Sequence, residues 1–142
     1  MANTSSKLAI SGRILLALYF LLPGIMKLLA TDMHVTLMQH HNIPNALPLL
    51  YIAGFVQIIG ALFLMANRHV RNVCLGFALY ILIINFTLHG FWNFTDIEAQ
   101  HETQNFIKNM GILAGVLILA GHSVKRKIPF SLKELLSSDK KS

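Results

Sequence analysis

The stretch Asn72–Phe94, NVCLGFALYILIINFTLHGFWNF, decides the fold. No charged residue lies between Arg71 and Asp96, and Leu, Ile and Phe dominate the interval. A helix rises 1.5 Å per residue, so about 20 such residues cross a hydrocarbon core of about 30 Å. The stretch therefore reads as a transmembrane helix. Within it Asn85, His89, Trp92 and Asn93 fall at i, i+4, i+7 and i+8, which places them on one helical stripe. A polar group in hydrocarbon is costly unless paired, so that stripe is expected to face protein.

Working outward, the same logic finds three more spans. Leu8–Leu29 has Arg13 and Lys27 near its ends, placed to snorkel. A cleavable signal peptide is not expected there, because Pro23, Gly24 and Lys27 interrupt the apolar region. No fully charged residue lies between Asp32 and Arg68, and the apolar run extends over 46–66, after the breakers Pro44 and Pro48. The fourth span is read over 105–124, opening on Asn105. The expected architecture is all-α: an integral membrane four-helix bundle with spans near 8–29, 46–66, 72–94 and 105–124. It forms a single domain, 1–142, that ends in a basic tail, 125–142. Thr31 as the N-cap before Asp32, with Met33, Leu37 and His40 or His41 at helical spacing, predicts a short interfacial helix in the first outer connector. Ser131 and Glu134 form a capping box ahead of Leu135 and Leu136, which predicts a brief amphipathic tail helix.

The composition agrees. Of 142 residues 54% are hydrophobic and 13% charged, against about 25% charged in soluble domains. Disorder, collagen and disulfide scaffolds are excluded together. The lone Cys74 precludes an intrachain disulfide and a C-x-x-C pair. A net charge of +6 would suggest nucleic acid in a soluble protein, but here the basic residues encode topology. With the N-terminus inside, the inner side holds Lys7, Arg13, Arg68, Arg71, Lys125, Arg126, Lys127, Lys133, Lys140 and Lys141. The outer side holds only Lys27 and Lys108. The positive-inside rule then makes both termini cytoplasmic, gathers Asp32, Asp96, Glu98 and Glu102 outside, and removes the need for a nucleic-acid partner.

Several polar residues converge on the outer half of this arrangement. Asn105, Lys108 and Asn109 stand at i, i+3 and i+4 at the start of the fourth span, and Lys27 ends the first. Gln57 lies at helical spacing with Gly54 and Ala61 in the second. Lys27, Gln57, Asn85, His89, Trp92, Asn105, Lys108 and Asn109 are the candidate ligand-binding residues, with Trp92 as a wall. Each also has a plainer reading: Trp92 as an aromatic-belt residue, Lys27 and Lys108 as snorkelling anchors, Gln57 and Asn85 as interhelical hydrogen bonds. Two lysines on one cavity would repel each other, so an anion or one of Asp96, Glu98 and Glu102 is expected against at least one of them. Gly111 and Gly115 form a G-x-x-x-G expected at a close helix crossing.

Metal and haem readings find less support. His34, His40 and His41 lie in a connector with no carboxylate or cysteine at ligand spacing, and His89 is the one histidine inside a span. No nucleotide fingerprint or serine elbow is present.

The order of motifs resembles one known family. Gly24-Ile-Met-Lys27 ends the first span, Val56-Gln57-Ile-Ile-Gly60 sits in the second, His89-Gly-Phe-Trp92 closes the third and Asn105-Phe-Ile-Lys108-Asn109 opens the fourth. Together, from about Arg13 to Gly121, they resemble the DoxX family of small four-helix membrane proteins. The resemblance implies a multi-pass protein of the bacterial inner membrane, some of whose relatives take part in sulfur-compound or thiol redox reactions that deliver electrons to quinone. Many relatives carry a glutamate at the position matching Gln57; an amide keeps the hydrogen bonds but cannot exchange a proton near neutral pH.

Three functions are consistent with these residues. The first is a non-catalytic or accessory subunit of a membrane-associated redox assembly, with a partner redox protein and no redox centre of its own. The second is a quinone- or small-anion-binding oxidoreductase subunit with an outer-leaflet pocket. The third is a small transporter, for which four helices suffice only in a homo-oligomer.

Overall fold

In the computed structural model, residues 6–124 are described. They form five helices: α1 (Lys7–Leu29), α2 (Thr31–His40), α3 (Ala46–Met65), α4 (Val70–Thr87) and α5 (Asp96–His122), with a 3-10 turn at Phe91–Asn93. The protein is all-α, and Lys7–Leu29, Ala46–Met65, Val70–Asn93 and Asp96–His122 are each long and apolar enough to cross a membrane. Leu15, Leu22, Ile52, Phe55, Leu79, Ile83 and Ile118 project outward from them. So much contiguous apolar surface is untenable in water and natural in lipid.

Packing divides the chain into two hairpins. Contact is densest between α1 and α3 and between α4 and α5, and much lighter between the pairs. The first hairpin closes at a glycine crossing: a Cβ on Gly24 would stand 3.1 Å from the Gly54 carbonyl oxygen and 3.0 Å from Gln57 Cβ. Only glycine permits that approach. The hairpins meet where Phe20 stacks on Phe77 with ring centroids 3.7 Å apart, and where the Phe77 ring fills the space a side chain on Gly60 would need. Cys74, Leu64, Val116 and Ala120 complete this dry core near the end of the bundle where α1 begins. Arg71 Nη1 donates to the Ala120 carbonyl at 3.1 Å, in the last turn of α5, where the helix dipole favours a cation.

Local chemistry sets the helix ends. Asn42 and Asn67 adopt left-handed φ of 56° and 55°. In each case the two residues after the cap donate back into the last turn: Asn42 N to Gln39 O and Ile43 N to Met38 O, Asn67 N to Leu64 O and Arg68 N to Phe63 O. Asparagine tolerates that conformation better than most residues, which is why these helices stop there.

Four expectations need correction. Thr31 is the first residue of α2 rather than its N-cap; its hydroxyl turns back to the Lys27 and Leu28 carbonyls. The single stripe from Asn85 to Asn93 does not exist, because α4 ends at Thr87 and buried Gly90 breaks the path. A Cβ at Gly90 would meet the Trp92 ring at 3.0 Å. The last helix opens at Asp96, not Asn105, with Asp96 and Glu98 in its first turn, where the helix dipole favours acidic groups. Gly111 has open space beside it, and a Cβ on Gly115 would meet only Leu16 at an ordinary 3.7 Å, so the G-x-x-x-G marks no close crossing within the described chain. The expected tail helix lies outside the described residues.

Candidate functional site

The cavities lie toward the other end of the bundle, where α2 joins α1 to α3. The smaller, about 180 Å3, is bounded by all four long helices: Tyr19, Pro23 and Lys27 from α1, Gln57 from α3, Tyr80 and Ile84 from α4, and Asn109 from α5, with His89 from the link after α4. The larger and more open one, about 520 Å3, is lined by Asn105, Lys108, Gly111 and Ile112 and shares Tyr19, His89 and Asn109 with the first. The larger volume is that of a small-ligand pocket, and the smaller has room for a head group only.

One wall is held by a hydrogen-bonded chain. The Tyr19 hydroxyl donates to Asn109 Oδ1 at 2.9 Å, Asn109 Nδ2 donates to Asn85 Oδ1 at 2.8 Å, and Asn85 Nδ2 donates to the Phe106 carbonyl at 3.3 Å. Asn85 is fully buried and stands behind the cavity rather than in it. Every polar group in this chain has a partner, which is how three amide and phenol side chains become affordable between apolar helices.

Two other lining groups are left open. Gln57 is 3% exposed, yet its Oε1 has no donor. Lys27 is half-buried and, like Lys108, forms no ion pair among the described residues. Of the three carboxylates expected against the lysines, Glu98 and Glu102 are used by histidines instead. His89 Nδ1 donates to Glu102 Oε2 at 2.6 Å, Asn105 Nδ2 reaches the same oxygen at 3.5 Å, and His41 Nε2 lies 3.8 Å from Glu102 Oε1. Glu98 takes His40 Nε2 at 2.6 Å. The pairing fixes the imidazole of His89 in the cavity wall by one ring nitrogen. Burial pushes the His41 pKa down, against an opposing pull from Glu102. No group of three or more His, Cys, Asp or Glu suited to a metal occurs among the described residues.

Lys27, Gln57, His89 and Asn109 thus come together in one cavity, with Asn105 and Lys108 in its neighbour. Trp92 lines neither. It is about half exposed and packs near Phe86, Phe91 and Phe106, so the expected wall is instead an aromatic cluster on the surface. Several cavity residues, and one carboxylate that supports the wall through His89, were not among the candidate site residues. Tyr19 stands at i−4 and i−8 from Pro23 and Lys27, so the stripe was present in α1. Tyr80 and Ile84 repeat the pattern in α4, and Glu102 lies on the inward face of α5 once that helix is extended back to Asp96.

A family model, DoxX, matches residues 8–90. The chain belongs to the DoxX family. The match takes in α1 to α4 and His89, and therefore three of the four helices around the smaller cavity; α5, with Asn105, Lys108 and Asn109, lies beyond it. The DoxX segment contains the glycine crossing, Lys27, Gln57 and His89. Neither a curated protein nor a solved structure matches the chain closely enough to add to this assignment.

Proposed function

We propose that this DoxX-family protein is an accessory membrane subunit of a redox assembly, and that its own contribution is a pocket for an oxygen-bearing head group of the quinone class. The observation that carries the reading is one cavity that holds the Lys27 ammonium, without an ion pair among the described residues, and the Gln57 carboxamide, whose Oε1 has no donor and which a flip of the amide turns into an N–H donor toward a quinone oxygen. A quinone oxygen would accept from Lys27, and the lysine charge would stabilise negative charge developing on the ring. The ring nitrogen of His89 not held by Glu102 would meet the second oxygen across the cavity. A small oxyanion would use the same lysine, with Lys108 at the entrance. Cys74 is the one cysteine and is buried, so electrons would come from a partner redox protein rather than from thiols of this chain. On this reading the protein is a single bacterial inner-membrane domain with both termini and the basic tail cytoplasmic and α2 at the outer interface.

Trp92 is the sole tryptophan and lies three residues from His89, which provides the test. Titrating a short-chain ubiquinone into the protein in lipid nanodiscs should quench its fluorescence saturably. Lys27→Met and Gln57→Leu should each weaken the effect about tenfold, the equivalent of one good hydrogen bond to a charged or buried group. Quenching that never saturates, or that both variants preserve, would sink the quinone reading. A subunit whose role is to stabilise its partner alone would show that result together with loss of the partner on deletion.

A further inference from the structure

At the α2 end the hairpins are joined by side chains. Helices α2 and α5 make no backbone contact with each other. Across the gap, His40 reaches Glu98 at 2.6 Å and His41 reaches Glu102 at 3.8 Å. The Phe94 ring, on the link before α5, sits 6.0 Å from the His40 ring and 5.0 Å from that of His41. The outer pair is well exposed, but the His41 side chain is 4% exposed and that of Glu102 is 12% exposed. Glu102 is shared, since its other oxygen holds His89 in the cavity wall.

We propose that these contacts form an acid-released latch: neutral His41, buried against the Phe94 ring, lets α2 close on α5 while His40 bridges to Glu98, and protonation of His41 separates the hairpins at this end and loosens the cavity wall that His89 forms. The titratable groups that act on His41 are His40 from its own connector, His89 from the link after α4, and Glu98 and Glu102 from α5. Glu102 already accepts from His89 at 2.6 Å and Asn105 at 3.5 Å, so it is not free to close on a charged His41 that stands 3.8 Å away. Burial adds to this, because a charged imidazole at 4% exposure loses most of its hydration. A proton is therefore bound more weakly in the latched state than in the released one, and by linkage acid favours release. The device does not depend on which ligand the cavity takes.

The test places nitroxide labels at Gln39→Cys and Gln100→Cys, exposed positions beside the latch, in full-length protein carrying Cys74→Ala in nanodiscs. Electron–electron distance distributions would be recorded from pH 7.5 to pH 5.0. One short distance is expected at pH 7.5. Below about pH 6.5 a longer one should grow, its ratio to the short one rising by at most about tenfold per pH unit for a single proton. His41→Phe keeps a ring against Phe94 but takes up no proton, and should remain short throughout. An unchanged distribution at pH 5.0 in the parent, or a His41→Phe protein that responds as the parent does, overturns the latch. Either result leaves the ubiquinone titration to be decided separately.

Discussion

The two ends of the bundle solve the same problem with opposite chemistry. Where α1 begins, Phe77, Cys74, Leu64 and Val116 close the space between hairpins with apolar surface, and Phe20, stacked on Phe77, forms the boundary with the cavity. At the α2 end the hairpins enclose a cavity, and polar chains and histidine–glutamate pairs span what packing does not fill. In lipid the hydrophobic effect gives helices little reason to associate, so van der Waals fit and interhelical hydrogen bonds carry the load. The dry end relies on the first and the α2 end on the second. The difference teaches that rigidity is concentrated away from the cavity, where motion would do least.

The comparison is broken most decisively at the dry end. Phe77→Ala removes the ring that joins the hairpins and should destabilise the protein by about 3–5 kcal/mol, read as loss of resistance to denaturant in detergent micelles. A cost below about 1 kcal/mol would mean the core is not where the hairpins are held. Gly24→Val forces a side chain against the Gly54 carbonyl and should cost about 1–3 kcal/mol in the same assay, through the first hairpin. Asn109→Leu strands the Tyr19 hydroxyl and Asn85 Oδ1 and should cost about 0.6–2 kcal/mol, less than either packing variant. If it costs more, the polar end is the stronger joint and the contrast is reversed.

The smallest effect expected is a pH dependence at the α2 end alone. Burial lowers the His41 pKa from its ordinary 6.5. The folded chain therefore binds that proton less tightly than the unfolded chain does. Its stabilising contribution is complete above pH 6.5 and is lost as the pH falls from there toward the lowered value. Denaturation midpoints should decline between pH 7.5 and pH 5.5, and His41→Phe should flatten the decline while Phe77→Ala leaves its shape unchanged.

The sequence disclosed α1 and α3 almost to the residue, because charges and breakers bracket their apolar runs. It misled at the α4–α5 link, where Leu88–Phe94 stays uncharged and rich in aromatic residues after the helix has ended, so the apparent span runs on past a backbone break at Gly90. The opposite error hid the start of α5, whose first turns are helical but polar. That boundary mattered for the site. With α5 begun at Asn105, Glu102 was a loop carboxylate free to find a lysine; inside the helix it faces His89 and His41. Lys27, Gln57, His89 and Asn109 were legible because each is a polar residue with no inexpensive place in lipid. Tyr19 and Tyr80 were not, since tyrosine is equally at home in a membrane protein without a cavity.

The glycine crossing of Gly24 with Gly54 is contained entirely in the first hairpin, and this gives the protein's biogenesis an order. A chain emerging from the ribosome has both crossing helices in hand before Val70 is made, so α1 and α3 can lock together in the bilayer while α4 and α5 are still being synthesised. The second hairpin then docks on a finished surface, its Phe77 ring entering the notch that Gly60 keeps open. Truncation in the 66–69 turn would thus leave an inserted hairpin with an empty notch, a recognisable orphan for membrane quality control.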